Sequence, residues 1–259
     1  MSHAAELAFA QAAARAAGAL ALERFRGSVG ARRKADGTWV TEADEAVERS
    51  LRAAIAERFP GHNVHGEEEG LLGADGGPAV ADAPTWILDP IDGTHNYVDG
   101  VPIWATLVAL AVDGEPVLGV VDAPALGETY AAARGLGARL NGEPIRARPA
   151  PSLEDALVLL GAFADFLPEH EELLLRLVRG AGRDRGLGDF WGHMLVARGS
   201  ADAMVDAAPL ALWDVAALRP ILAEAGALLT AMDGSPWVPG GPALCAAEPL
   251  HREIAALAG

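Results

Sequence analysis

One short stretch restricts this chain more than any other. An apolar run, Trp86-Ile87-Leu88, leads directly into Asp89-Pro90-Ile91-Asp92-Gly93-Thr94. The run has the make-up of a buried strand. Two carboxylates at its end repel each other, and local folding gains nothing from holding them together. A fold that buries this strand must deliver both acids to a place where positive charge answers them.

The 259 residues suffice for one large domain or two closely packed ones, and an apolar fraction of 51% supplies a sizeable core. Acids outnumber bases 36 to 20, for a formal net charge of −16. That balance argues against a nucleic-acid partner held by a basic face. An anionic ligand would be repelled unless cations or helix ends receive it. Cys245 is the only cysteine, which excludes a disulfide within the chain and a thiolate metal cluster and fits a reducing compartment. The Ala-rich N-terminal segment carries Glu6, Arg15, Glu23 and Arg24, so it reads as a helix and not as a signal peptide. No run approaches the roughly 20 apolar residues that span a bilayer. A soluble cytoplasmic protein without a membrane partner is expected.

Periodicity and punctuation predict a helix over 3–26, then a polar loop containing Arg32-Arg33-Lys34, then a helix from Thr41 or Asp44 to Phe59 that Pro60-Gly61 stops. Asn63 opens a short strand that runs into the acidic turn Gly66–Gly70. Residues 71–84 read as loop, 85–89 as strand, and a short helix begins near Thr94. Asp113-Gly114 and Asn141-Gly142 each punctuate apolar runs and mark hairpins, so 62–147 reads as an antiparallel meander. Beyond a Pro-rich segment at 146–152, strands (156–163, 183–188, 201–207) alternate with helices (168–180, 189–199, 214–226), as in an α/β layer. The expected division is 1–147, with an antiparallel sheet and most of the acids, and 148–259, with substrate-side residues and Asp214.

Four acidic elements sit at such junctions: Asp44, Glu67-Glu68, Asp89 with Asp92, and Asp214. Each has a local explanation. Asp44, Asp92 and Asp214 could cap helices, and the Glu run could be a solvated turn. One metal site accounts for all four at once. Hard cations take carboxylate and carbonyl oxygens, and a pair of metals ~3.5–4 Å apart can activate water and stabilise a leaving oxygen. Asp89 and Asp92 supply neighbouring carboxylates, and the carbonyl of Ile91 is a further hard ligand. The backbone N–H groups of Gly93 and Thr94, opening a helix, suit a phosphate.

Three segments, "GEEEG", "WILDPIDGTHNYVDGVPIWATLVAL" and "LWDVAALRPILAEAGALLT", resemble in order and spacing the signature regions of the inositol-monophosphatase-like, Mg²⁺-dependent, lithium-sensitive phosphatases. The likeness covers nearly the whole chain. It implies a mixed α/β (α+β) fold, a layered α-β-α-β-α sandwich, that forms a homodimer. It also implies two or three Mg²⁺ per site, with Mn²⁺ as a substitute. By the same resemblance, Glu67 and Asp89 hold the first metal, with Asp89 bridging and Ile91 adding its carbonyl. Asp92 and Asp214 hold the second. Thr94 orients the attacking water and Asp44 polarises that threonine. Gly93 and Thr94 amides cradle phosphate, Lys34 lies near it, and Glu68 stands behind the ligands. The implied reaction is direct in-line hydrolysis of a small phosphate monoester, without a covalent intermediate.

For the ester itself, Gly188-Asp189-Phe190-Trp191 and the segment holding Trp104 resemble the histidinol-phosphatase branch. Histidinol phosphate carries an ammonium and an imidazole. Asp189 could face the former, and Trp191 or Trp104 the ring or the cation. The local alternatives are an N-cap for Asp189 and core packing for Trp191. Inositol 1-phosphate or a broader set of sugar and nucleotide phosphates is the alternative substrate class, and a non-catalytic cation-binding protein is the alternative of another kind. Arg185 and His193 are candidates without roles, and His95 is expected at the cleft rim. Pro220 should kink the helix that Asp214 opens.

Overall fold

The structure is a computed structural model that describes residues 3–27, 30–33 and 39–259. In chain order the first part contains α1 (Ala4–Arg24), β1 (Arg32–Arg33), β2 (Trp39–Val40), α2 (Glu42–Arg58), β3 (Asn63–Gly66), β4 (Gly70–Gly73), β5 (Thr85–Asp92), α3 (Thr94–Val98), β6 (Ala105–Val112), β7 (Glu115–Ala123), β8 (Glu128–Ala133), β9 (Ala138–Leu140) and β10 (Glu143–Pro144). The remainder contains β11 (Leu157–Leu160), α4 (Glu171–Gly180), β12 (Arg183–Gly186), α5 (Asp189–Ala197), β13 (Ala203–Asp206), α6 (Leu212–Ala216), α7 (Leu218–Ala225), β14 (Leu228–Thr230), β15 (Ala243–Ala246) and α8 (Leu250–Ala258).

Two sheets carry the fold. The larger has eight strands in the order β10-β9-β8-β7-β6-β5-β3-β4, and the smaller has five in the order β12-β11-β13-β15-β14. Helices α1 and α2 cover one face of the large sheet. Helices α5, α6 and α7 fill the space between the sheets, and α4 with α8 closes the outer face of the small one. This is the α-β-α-β-α layering. Each layer boundary is a hydrophobic seam, because a sheet buried on both faces must meet apolar side chains on both.

Several expectations are adjusted. The meander runs from β5 to β10, but β3 pairs parallel with β5, and Gly70–Gly73 forms an added edge strand where a loop was expected. The small sheet is mixed: β12-β11-β13 is parallel, whereas β13-β15-β14 is antiparallel. The two short apolar strands after 226 complete it. Both hairpin signals hold. Asp113-Gly114 and Asn141-Gly142 have positive φ at both positions (53° and 79°, 50° and 88°), the conformation that twists with the flanking strands.

The helix expected to open at Asp214 begins at Leu212, with Ala211 as its N-cap residue, and divides at Ala217, close to Pro220, which offers no N–H to the carbonyl one turn earlier. At that break the backbone comes down on the large sheet: a Cβ on Gly119 would lie 2.0 Å from the Ala217 carbonyl oxygen. On the other face α1 buries the small residues Ala10, Ala14, Ala17, Gly18 and Ala21. Phe9, Phe59 and Trp86 pack edge-on or tilted at 5.0–5.4 Å and fasten α1 and α2 to β5. Each such pair is worth about 0.5–1.5 kcal/mol beyond its buried area. Arg148 grips the buried Asp202 through two hydrogen bonds of 2.7 and 2.6 Å, which stitches the segment between the sheets onto the small one.

Candidate active site

The acidic strand runs further than its composition suggested. β5 continues through Asp92, and its register against β6 slips between Asp89 (opposite Leu107) and Asp92 (opposite Ala105). Three steps on β5 match two on β6, so one extra residue bulges out. In a regular strand, side chains three apart point to opposite faces. The bulge turns Asp89 and Asp92 the same way, as bulges beside active sites do. Pro90 has no N–H to give the ladder, and its carbonyl accepts the Thr106 hydroxyl at 2.9 Å. Gly93 then takes φ 78°, where a Cβ would stand 2.9 Å from the Ile103 carbonyl oxygen, and α3 begins.

Asp214 reaches the same place from the short α6, where its carboxylate accepts the Ala211 N–H at 2.6 Å. Carboxylate oxygens of Asp89, Asp92 and Asp214 all lie within 4.8 Å of one another. With Glu67, Ile91, Gly93, Thr94, Asp189 and Trp191 they line a cleft of about 600 Å³ between the two sheets. Asp89 is 2% exposed, and burial followed by the charges of Glu67, Asp92 and Asp214 holds its carboxyl well above the usual range. Burial likewise raises Asp92 strongly, with Asp189 and Asp214 adding to it. Burial pushes Asp214 up to about 7 and Asp44 up to about 6. Asp89 Oδ1 and Asp44 Oδ1 are buried without a hydrogen-bond partner. Clustered, desolvated carboxylates with bare oxygens are the donor set that a hard divalent cation requires. The residues present therefore fit such ions.

Some expected roles change. Asp44 is not the N-cap of α2; Thr41 is, and Asp44 Oδ2 accepts both the Thr41 N–H (2.8 Å) and its hydroxyl (2.5 Å). The Thr94 hydroxyl donates to the Ile91 carbonyl at 2.9 Å, so the anticipated Asp44–Thr94 hydrogen bond is not formed. The Ile91 oxygen keeps a second lone pair. Asp92 does not cap α3. Its carboxylate instead accepts the Phe190 N–H at 2.9 Å and so tethers the start of α5 to the end of β5. Gly188, not Asp189, is the N-cap residue of α5. Lys34 lies outside the described residues. Glu68 is half-buried beside the site and does not line the cleft.

The other wall of the cleft comes from the second part of the chain. Asp189 is solvent-exposed, and its carboxylate accepts the Asn96 side-chain amide at 2.8 Å. The Trp191 indole N–H donates to Glu128 at 3.2 Å. Glu128 also accepts the Tyr130 hydroxyl at 2.8 Å and pairs with Arg198. Trp104 is corrected outright: it is fully buried against Phe25 and Tyr97 and faces no ligand space. Arg185 is exposed and bonds the neighbouring Asp184 carbonyl. His193 is buried, with Nδ1 3.2 Å from Cys245 Sγ, and burial lowers its pKa to about 4, which keeps the ring neutral. His95 is exposed at the rim, as expected, edge-on to Trp39.

Asp206 and Trp39 also line the cleft, and sequence reasoning passed over both. Asp206 is 5% exposed, and burial raises its carboxyl to about 6. It ends the apolar strand Ala203–Asp206, the same signal that singled out Asp89. Trp39 had no such signal, because a lone aromatic in a polar loop is ordinary.

The family model described as the inositol monophosphatase family matches residues 3–258. A protein of Streptomyces coelicolor named histidinol-phosphatase is 38% identical over 96% of this chain and 95% of its own length. One of the same name from Chlorobaculum parvum is 40% identical over 85% of this chain and 83% of its own. Among solved structures, a Thermotoga maritima IMPase superposes with a TM-score of 0.86 and 32% identity, covering 98% of this chain and 96% of that one. The chain belongs to the inositol monophosphatase family.

Proposed function

We propose that this protein is a Mg²⁺-dependent phosphomonoesterase that hydrolyses L-histidinol phosphate to L-histidinol and phosphate. The observation that carries the reading is the convergence of Asp89, Asp92 and Asp214, with Glu67 lining the same cleft and charged against them. The relatives named histidinol-phosphatase support the substrate.

Glu67, Asp89, Ile91, Asp92 and Asp214 would hold the cations, with Mn²⁺ as a substitute. When bound, such ions make water acidic enough to attack phosphorus and neutralise charge on the ester oxygens. The protein's own part is placement. The β5 bulge fixes Asp89 and Asp92 on one side of the cleft. The backbone N–H groups of Gly93 and Thr94 are assigned to receive the phosphate, and the Thr94 hydroxyl to orient the attacking water. Asp44 acts on Glu67 through its charge. Asp189 answers the substrate ammonium and Trp191 lies along the imidazole. In this reading residues 1–147 bring the phosphate end of the site and residues 148–259, with Asp214, bring the leaving-group end. The protein is read as a cytoplasmic homodimer. Among the described residues no helix is long and apolar enough to cross a membrane.

The test is kcat/KM for histidinol phosphate beside inositol 1-phosphate in Mg²⁺. Histidinol phosphate should be preferred. A preference of about tenfold or more for inositol phosphate, about 1.4 kcal/mol of transition-state binding, would reverse the substrate assignment.

A further inference from the structure

Helix α2 presents three charged side chains at successive turns, Asp44, Glu48 and Arg52. The cation site reading uses only the first. Glu48 is 0% exposed, yet its carboxylate is fully engaged. One oxygen accepts the Glu68 N–H at 2.8 Å. The other accepts the Glu69 N–H at 3.0 Å and the Arg52 Nε at 2.9 Å. Arg52 in turn donates to the Gly70 carbonyl at 2.6 Å and the Val64 carbonyl at 3.4 Å, one on each strand of the β3–β4 pair. The N–H of Glu67 itself goes to the Leu88 carbonyl at 3.2 Å, next to Asp89. Glu67 is thus pinned on one side to the strand that carries Asp89, and the two amides that follow it are pinned by Glu48.

The fit is tight enough to dictate a neighbour. A Cβ on Gly66 would fall 2.2 Å from Glu48 Oε1. A buried ion pair is weak evidence for a stabilising role, because its desolvation offsets much of its attraction. The aim of this one is more specific: its two oxygens meet the amides of the turn that bears Glu67.

We infer that Glu48, braced by Arg52, is a positioning residue for Glu67: it sets the turn so that the Glu67 carboxylate stands ready for a divalent cation beside Asp89. The inference rests on the assignment of Glu67 as a cation ligand in the proposed function. Outer partners of metal ligands commonly govern affinity by orienting the ligand.

The test uses the full chain without substrate and reads Mn²⁺ binding by titration calorimetry, with thermal unfolding in chelator alongside. Glu48→Gln keeps one acceptor oxygen and replaces the other with an NH2 group, which donates and cannot accept. Gly66→Ala leaves every charge in place and displaces the Glu48 carboxylate with a methyl group. Each should weaken Mn²⁺ binding by about tenfold, and the double variant should be no weaker than either alone. In a Glu67→Gln background neither change should alter Mn²⁺ affinity, although any loss of thermal stability should persist. If Glu48→Gln fails to fold, Gly66→Ala carries the measurement. Unchanged affinity in both variants, or the same loss in the Glu67→Gln background, overturns the inference and leaves Glu67 as a ligand. Unchanged affinity in Glu67→Gln itself overturns the assignment of Glu67, and the positioning role with it.

Discussion

The two walls of the cleft differ in how closely their acids crowd together. Asp89, Asp92 and Asp214 are crowded and desolvated, and Asp89 keeps an oxygen without a partner. On the other wall Asp189 is held by Asn96, Trp191 by Glu128, and Asp206 by the Ala208 N–H at 3.1 Å. Repulsion and burial make the first wall unfavourable by itself, and a cation would reverse the sign. On the second, burial also raises Asp189 and Asp206, but each accepts a hydrogen bond from a protein group. Cation affinity and substrate choice should therefore respond to different substitutions.

The largest expected effect strikes the first wall. Asp89→Asn should reduce Mg²⁺-dependent phosphate release by roughly a thousandfold or more. It should leave the chelated protein as stable as before or more so, because the substitution removes a buried like charge. Turnover that survives the change would make the acidic trio a structural site. The next effect strikes the second wall. Asp189→Asn should lower kcat/KM for histidinol phosphate by about 10–100-fold, since it removes a charge partner, while inositol 1-phosphate hydrolysis stays close to wild type. Equal losses on both substrates would mean that Asp189 shapes the site without reading the ammonium.

A smaller effect is read by pH. Asp214 is raised from 3.8 to about 7 and Asp44 from 3.8 to about 6. A raised folded-state value means that the native protein holds these protons more tightly than the unfolded chain. Their contribution to stability is complete below about pH 4 and is lost as pH climbs towards 7. Metal-free protein should accordingly lose melting temperature by several degrees across that window, and Mg²⁺ should flatten the slope. A flat profile without metal would contradict the electrostatic account. The smallest effect concerns Trp104. Trp104→Phe should cost about 1–2 kcal/mol of stability with KM unchanged, whereas Trp191→Phe should raise KM for histidinol phosphate. A KM change in the Trp104 variant would return that ring to the substrate wall.

Much of this was legible in the residues. Asp113-Gly114 and Asn141-Gly142 fixed their hairpins because only a few residue types accept positive φ in succession. Asp89, Asp92 and Asp214 stood out because one metal site accounts for acids at several strand and helix ends at once, where local capping needs a separate reason for each. The β5 bulge was not read, although Pro90 inside a strand was its signal. The parallel pairing of β3 with β5 was missed because short apolar strands look alike whichever way they pair. Trp104 was misplaced because its neighbourhood, Phe25 and Tyr97, is assembled from distant parts of the chain.

The sequence by itself determined the kind of chemistry available: a surplus of acids, one cysteine, and carboxylates set at strand and helix ends. It also determined where the chain must turn, since glycine and proline act locally through their own backbone limits. Only the tertiary structure decided which partners each acid found. Asp92 reached across to Phe190, and Glu48 went beneath the turn of Glu67. Those choices depend on distances between segments far apart in the chain, and packing, not local preference, sets such distances.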